Sequence, residues 1–358
     1  MDKKDKIILS GGGTGGSVIP LLQIYQDLNN RFDFLFVGTY KGMERVMVDK
    51  VNLRYRAILS GKWRRYFSFK NFLDIFLIFL SFWQCLILLL QEKPKMVISA
   101  GGFVAVPLSW AARIMNISVI IHQQDLIPGL ANKLMIKAAT TITVTFEQSK
   151  KVYGNKALHI GNIGPNLENL KFNKEEIIDK YKLRNSSLPL IVIIGGGTGS
   201  LFLNKLVNDS LNELLSIAKV IHISGSADRD VGFSNYEKHE NYLKMELIDH
   251  YDLLALFSLA DIVISRCGLA TLTELSFFKK VAILIPMPDS HQEFNAFEFK
   301  KREAAIVLDQ KFLTTDNFIK EIKEVLSNED LRKKLSYNIS SVIKSGNQAM
   351  IDLIKKII

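Results

Sequence analysis

One pattern occurs twice. Ile7-Ile8-Leu9-Ser10 runs into Gly11-Gly12-Gly13-Thr14-Gly15-Gly16, and 184 residues later Ile191-Val192-Ile193-Ile194 runs into Gly195-Gly196-Gly197-Thr198-Gly199-Ser200. Each pairs an apolar, strand-like run with a glycine turn and then an apolar-periodic segment. That sequence of elements opens a doubly wound α/β domain, and its recurrence predicts two Rossmann-like domains in tandem. The 358 residues suffice for two domains of about 150–200 residues each.

Further strand candidates keep the alternation going: Phe34–Val37, Met96–Ser99, Val119–His122 and Thr141–Val144, then Val220–Ile223, Asp261–Ser265 and Ala282–Pro286. Strands separated by helix-length segments imply parallel sheets with helices on both faces. Turn signals at Gly161-Asn162, Gly164-Pro165-Asn166 and Asn185-Ser186-Ser187 place the linker within Gly161–Pro189.

Charge is uneven. Residues 1–160 hold 21 Lys/Arg against 10 Asp/Glu, and residues 161–358 hold 25 against 26, so the first half carries the whole net +10. A basic half attracts nucleic acid, anionic lipid or a polyanionic substrate, and composition does not choose among them. The two cysteines, Cys85 and Cys267, have no partner at ligand spacing, which argues against a disulfide framework or a zinc site. The short apolar run Ile7–Leu9 is a strand rather than a signal-peptide core, so a cytosolic protein is expected.

A strand–glycine–helix junction exposes backbone N–H groups at the positive end of a helix, where a phosphate fits. A tight turn that binds nothing has the same appearance. Three loops qualify here: Gly11–Gly16, Gly101–Gly102 and Gly195–Gly199. None continues as Gly-Lys-Ser/Thr, and the strand ending at Val37 is followed by Gly38-Thr39 without an acidic residue. Both a Walker A site and an NAD enzyme are therefore disfavoured. Glu274 is expected in the first turn of the helix after Arg266-Cys267-Gly268, either meeting ribose hydroxyls or stabilising the helix start. His291–Ala296 reads as a polar loop suited to sugar hydroxyls or simply to solvent. His122 and Asp125, at a strand's carboxyl end, are acid/base candidates.

Asn71–Leu90 is apolar on nearly every side, with a thin polar strip of Asp74, Ser81 and Gln84, and follows Lys62, Trp63, Arg64, Arg65 and Lys70. A helix partly packed in the core and partly in the membrane interface fits this better than a spanning one, since Met96–Gly102 must then form a core strand.

Taken in order, Gly-Gly-Thr-Gly-Gly, Gly-Gly-Phe-Val, His-Gln-Gln-Asp followed by Pro-Gly-Leu-Ala-Asn-Lys, Gly-Gly-Gly-Thr-Gly, Ser-Arg-x-Gly…Thr-Glu and His-Gln-Glu-x-Asn-Ala resemble the MurG family, from Ile7 to Ala296. The resemblance implies a GT-B architecture: two Rossmann-like domains whose parallel sheets face a cleft. Residues 1–162 would form the acceptor-binding, membrane-facing domain and 163–337 the UDP-sugar domain, with 338–358 returning to the first. It implies inverting transfer of N-acetylglucosamine from UDP-GlcNAc to the undecaprenyl-pyrophosphoryl-MurNAc-pentapeptide (lipid I), giving lipid II of peptidoglycan. The alternatives are a related enzyme acting on another lipid and a non-catalytic binding protein.

Position by position, the resemblance assigns Thr14, Gly15, Gly16, Gly101 and Gly102 to the acceptor diphosphate. To the donor it assigns Gly196, Gly197, Thr198, Gly199, Ile248, Arg266, Leu269, Ala270, Glu274, Gln292 and Glu293, with Asn132 as an active-site asparagine on the donor. Trp63, Arg64, Arg65, Phe72, Phe76, Phe79 and Trp83 would meet an anionic membrane. Departures fall at the chemistry. Ser17 stands where the family has His, Asp125 ends a segment usually His-Glu-Gln-Asn, Phe103 replaces Tyr, Gly197 replaces Ser, and Gly161–Pro165 lacks an Arg. Of the catalytic candidates Ser17, His122 and Asp125, the last is expected to be the base, with His122 orienting it. No cofactor or metal is expected, and no nucleic-acid partner. The setting would be peripheral, on the cytoplasmic face of the plasma membrane, with other wall-synthesis proteins as further partners.

Overall fold

The computed structural model describes residues 4–13, 15–61, 70–164, 170–184, 187–226, 236 and 238–358, with side chains of the helix at 70–92 described from residue 77. The chain divides into two compact units, Met1–Asn166 with Ser345–Ile358, and Leu167–Lys344.

The first unit holds strands β1 (Lys6–Ser10), β2 (Asp33–Thr39), β3 (Tyr55–Ile58), β4 (Met96–Ser99), β5 (Ser118–Gln123), β6 (Thr141–Val144) and β7 (Ala157–His159). Its helices are α1 (Ile19–Leu28), α2 (Met43–Lys50), α3 (Lys70–Glu92), α4 (Ala105–Ile114), α5 (Leu130–Met135) and α6 (Lys150–Tyr153). The second unit runs α7 (Lys174–Lys180), β8 (Leu190–Ile194), α8 (Leu201–Ile217), β9 (Lys219–Ile223), β10 (Tyr242–Met245), α9 (His250–Leu259), β11 (Ile262–Ser265), α10 (Leu269–Phe277), β12 (Ala282–Leu284), α11 (His291–Lys301), β13 (Ile306–Val307), α12 (Thr315–Ser327) and α13 (Glu329–Val342). A last helix, α14 (Asn347–Ile357), lies in the first unit.

Both sheets are parallel and share one winding scheme. The first is ordered β3-β2-β1-β4-β5-β6-β7 and the second β10-β9-β8-β11-β12-β13. In each, the strand order reverses beside the strand that feeds a glycine loop, between β1 and β4 and between β8 and β11. Ligands of open α/β sheets bind at such switch points, beyond the strands' carboxyl ends.

The period of two along a strand builds the layers. Ile7 and Leu9 join Phe34, Phe36 and α1 on one face, while Ile8 joins Leu35, Val37 and residues of α3 and α4 on the other. Met350 and Ile354 of α14 are buried in the α1 layer. The return is fixed where Asn162 pairs with Ser345 and its carbonyl accepts from Gly346 N at 2.7 Å. It begins at Ser345 rather than Asn338, because Asn338–Val342 complete α13 in the second unit. The first unit likewise extends to Asn166 rather than ending at 162.

Helix α3 is two-sided. Ser81, Cys85 and Leu89 are buried, and Gln84 Oε1 accepts from Leu59 N at 2.9 Å. Phe79, Leu80, Trp83, Ile87 and Leu90 are exposed. Apolar side chains therefore stand on both sides of this helix, and the outward set is far larger than an ordinary surface helix presents. Burial pushes the Cys85 thiol up to about 12 and the Cys267 thiol above its ordinary value, so both are unreactive packing groups.

Candidate active site

In the first unit, three loops meet at the β1/β4 switch point. Gly13 and Gly102 have φ of 88° and 96°. A Cβ on Gly102 would lie 2.6 Å from Gly12 O and 2.7 Å from Gly12 N, so only glycine lets the two loops touch. Gln124, following β5, clips them together by donating to Gly16 O at 2.9 Å. Gly15 and Gly16 stand in a short 3₁₀ turn, Gly15–Ser17. Thr14 lies outside the described residues, as do Trp63, Arg64, Arg65 and the side chains of Phe72 and Phe76.

Gln123 organises the loop after β5. Its amide donates to Asp125 O at 2.6 Å, while its Oε1 accepts from Asn132 Nδ2 at 2.6 Å and from Tyr153 Oη at 2.8 Å. Asp125 thereby has a fixed backbone and a half-buried carboxylate. Burial, helped by the charge of Asp125, raises Tyr153 above its ordinary value, so the phenol stays a hydrogen-bond donor. Asn132 is buried in this unit with Oδ1 packed toward Gly101. It supports the Gly101 loop.

Two catalytic candidates take other roles. His122 is completely buried, with Nδ1 3.0 Å from Thr143 Oγ1 and Nε2 2.8 Å from Asn162 Oδ1. Burial lowers its pKa to about 4, against the Asn162 bond, which raises it. Both ring nitrogens are thus spent inside the sheet, and the ring does not orient Asp125. Ser17 is buried and donates to Gly12 O at 3.1 Å, bracing the loop.

Sequence reasoning missed Glu44. It is fully buried on α2, with Oε1 accepting from Thr39 N at 3.0 Å and Thr39 Oγ1 at 2.6 Å. A Cβ on Gly12 would sit 3.0 Å from this carboxylate and one on Gly42 2.1 Å from it. The glycines make room for it, and only three-dimensional contact shows that the glycine loop rests on a carboxylate.

In the second unit, Gly195–Gly199 leads into α8, capped by Ser200, whose Oγ accepts from Leu203 N at 3.3 Å. Gly197 and Thr198 are exposed at the turn. Arg266, at the end of β11, is buried and reaches across the switch point. Nη2 donates to Ser200 Oγ at 2.7 Å, and Nη1 to Ile285 O at 3.0 Å and Pro286 O at 3.1 Å. No carboxylate pairs with it among the described residues. Burial lowers its pKa from the usual arginine value, yet a guanidinium stays charged, so a cation stands beside the glycine turn.

The β11–α10 turn is held from α11 as well. Gln292 Oε1 accepts from Cys267 N at 3.3 Å and Met287 N at 3.0 Å, and Asn295 Nδ2 donates to Cys267 O at 3.2 Å. Gln292 and Glu293 therefore sit in the first turn of a helix, not in a loop. The capping pattern Ser290-x-x-Glu293 was the legible signal for it, and Ser290 Oγ accepts from Gln292 N at 3.2 Å. Glu274 is the sixth residue of α10, one turn beyond the helix start, so the dipole role falls away. It is buried and binds His250 Nε2 at 2.8 Å. Leu269 and Ala270 open α10, and Ile248 lies half-buried just before α9.

An Asp-x-Asp triplet, a spacing able to chelate a divalent cation, is present at Asp228-Arg229-Asp230, outside the described residues. Among the described residues no group of three His, Cys, Asp or Glu could hold a metal ion.

The family models for the glycosyltransferase family 28 N-terminal and C-terminal domains match residues 7–144 and 190–350. A Clostridium perfringens (strain SM101 / Type A) protein named UDP-N-acetylglucosamine--N-acetylmuramyl-(pentapeptide) pyrophosphoryl-undecaprenol N-acetylglucosamine transferase is 37% identical over 360 residues, covering 99% of each chain. The Clostridium botulinum (strain Kyoto / Type A2) protein of the same name is 35% identical over 357 residues, 98% of this chain and 99% of its own. Among solved structures, Acinetobacter baumannii MurG superposes with a TM-score of 0.76 at 23% identity, covering 98% of this chain and 99% of its own. The glycotransferase of kitacinnamycin gives 0.75 at 14% identity, covering 99% of each. These folds agree with the GT-B class of two Rossmann-like domains. With both family models matched and this identity held over nearly the whole chain, the protein belongs to glycosyltransferase family 28, among its MurG members.

Proposed function

We infer that the chain transfers N-acetylglucosamine from UDP-GlcNAc to the lipid-linked MurNAc-pentapeptide acceptor, forming the disaccharide precursor of peptidoglycan. The observation that carries this is the match of 99% of the chain to relatives named for that transfer. The switch points support it: each unit has a glycine turn beyond the carboxyl ends of its strands, where backbone N–H groups can meet a phosphate. An acceptor hydroxyl attacks the anomeric carbon, a base takes its proton, and UDP departs with inversion. We assign the base to Asp125, and the stabilisation of the departing diphosphate to the N–H groups of Gly196–Gly199 and to Arg266, without a metal. With UDP-GlcNAc and a lipid I analogue, the purified chain should form the disaccharide product and should continue to do so in EDTA. UDP-GlcNAc binding with no product from that acceptor would overturn the reading.

We assign the membrane contact to the outward face of α3. Among the described residues no helix is long and apolar enough to cross a membrane. Phe79 and Trp83 stand one turn apart, with ring centroids 6.1 Å apart, edge to face. Their exposure, with a basic run at 62–65 earlier in the same stretch of sequence, suits an anionic lipid surface on the cytoplasmic side. Burying half of each ring is worth about 1–2 kcal/mol, so Trp83→Ser should weaken binding to phosphatidylglycerol vesicles roughly tenfold. Cosedimentation equal to the parent's, across a salt series, would remove α3 from the contact.

A further inference from the structure

Glu274 is almost completely buried, and among the described residues its one ionic partner is His250, the first residue of α9. The Nε2–Oε1 distance is 2.8 Å, and no hydrogen bond to Oε2 is formed among the described residues. One carboxylate oxygen is held and the other is open. His250 itself is half-exposed, with Asp249 capping its helix through Tyr251 N at 2.9 Å.

We propose that His250 is a positioning residue that sets donor affinity through its charge: its ring fixes Glu274 Oε1 so that Oε2 can accept from the ribose, and its protonation removes one negative charge from the donor pocket. This rests on the assignment of Glu274 to the donor ribose. With His250 protonated, the pair is neutral; with His250 neutral, the Nε2–H bond persists but the pair carries one negative charge. The ligand to be received is a diphosphate, so the neutral pair binds it better.

Burial opposes the charged ring, but the hydrogen bond and charge of Glu274, with the charge of Asp249, outweigh it and hold His250 above its ordinary value. Other charges nearby do not move with it. α9 packs on α7 and β8. From α7, Lys180 binds Asp252 at 2.5 Å, and the adjoining Tyr181 donates to the same oxygen at 2.6 Å. Lys180 is raised above its ordinary value chiefly by that bond, and Asp252, despite burial, is lowered by Lys180 and Tyr181, so both stay charged near neutrality. β8 brings only Leu and Ile/Val side chains.

Calorimetric titration of UDP-GlcNAc into the full chain at several pH values tests this, because the ligand's diphosphate diester does not titrate between about pH 6 and 8. The parent should bind roughly 3- to 10-fold more weakly at the upper end, the size of one added charge across partly screened distances. His250→Gln retains an N–H donor without the charge. It should show a flat profile at the parent's high-pH affinity, whereas His250→Ala should be weaker throughout. Superimposable profiles for parent and His250→Gln would sink the proposal. Glu274→Ala separates the causes. If it loses affinity while those profiles coincide, only the role of His250 is wrong; if it binds as the parent does, the ribose assignment fails and the proposal fails with it.

Discussion

Asp125→Asn should lower turnover by ~10²–10⁴-fold, the usual contribution of a positioned base, while UDP-GlcNAc affinity stays within about twofold. The substitution preserves shape and removes only the proton-accepting charge. Gln123 holds the main chain at Asp125 and would still hold it in the variant. The alternative base is excluded by its surroundings. With Asn162 Oδ1 accepting from both His122 Nε2 and Thr145 Oγ1, the proton of His122 sits on Nε2, and Nδ1 is left for the Thr143 hydroxyl. The ring has no lone pair free for substrate. The depressed pKa also has a stability consequence. A group lowered in the fold binds fewer protons there than in the unfolded chain, so burying His122 neutral destabilises the fold progressively only as pH falls below its unfolded value of about 6.5. His122→Ala should cost about 1–3 kcal/mol of stability near neutrality, because Thr143 Oγ1 and Asn162 Oδ1 each lose a buried hydrogen bond, and leave turnover per folded molecule nearly unchanged. Normal turnover by Asp125→Asn would take Asp125 out of the chemistry.

Gly199→Ala should destabilise the second unit and abolish measurable donor binding. Its φ is 80°, and a Cβ there would lie 2.0 Å from Ser224 O and 2.9 Å from Gly225 Cα, both backbone atoms. Neither strain can relax by turning a side chain. Left-handed strain and overpacking together cost about 2–5 kcal/mol, and the turn that presents its N–H groups must move. Gly197→Ala is the control. No atom lies within 4 Å of its Cβ position, so its melting temperature should match the parent's. Thermal denaturation and UDP calorimetry on the two variants decide the matter. Equal melting temperatures would show that the close approach between Gly199 and Ser224 is not a constraint.

The nine strands that the sequence revealed, β1, β2, β4, β5, β6, β8, β9, β11 and β12, are the interior strands of the two sheets, and each carries an apolar core of Ile, Val, Leu or Phe. The four that went unread are β3, β7, β10 and β13, which are the four sheet edges. An edge strand covers less of the core, so Tyr55-Arg56-Ala57-Ile58 and Ala157-Leu158-His159 carry polar and charged residues and no continuous apolar signal. The site divides in a similar way. Glycine turns were legible because chain direction there depends on local residues. His122 was misread, since period-two reasoning locates a strand's end but not which face its last ring takes. Glu44 and His250 were missed because their partners, Thr39 and Gly12 for one and Glu274 for the other, are set by how helices dock on sheets. The polar strip of α3 was legible, but not the direction it takes: Gln84 reaches inward to Leu59 N.

The Asn162–Gly346 junction also dictates an order of events on the ribosome. The second unit is one unbroken stretch, Leu167–Lys344, whereas the first needs Ser345–Ile358 to cover the α1 layer with Met350 and Ile354. At roughly 5–20 residues per second, the 178 residues between the two parts of the first unit take on the order of 10–40 s to synthesise. Throughout that interval Ile7, Leu9 and Phe34 lie under an incomplete apolar layer. The unit begun first is therefore finished last, and a nascent chain stalled within 167–344 presents that uncovered layer to chaperones, while the completed chain does not.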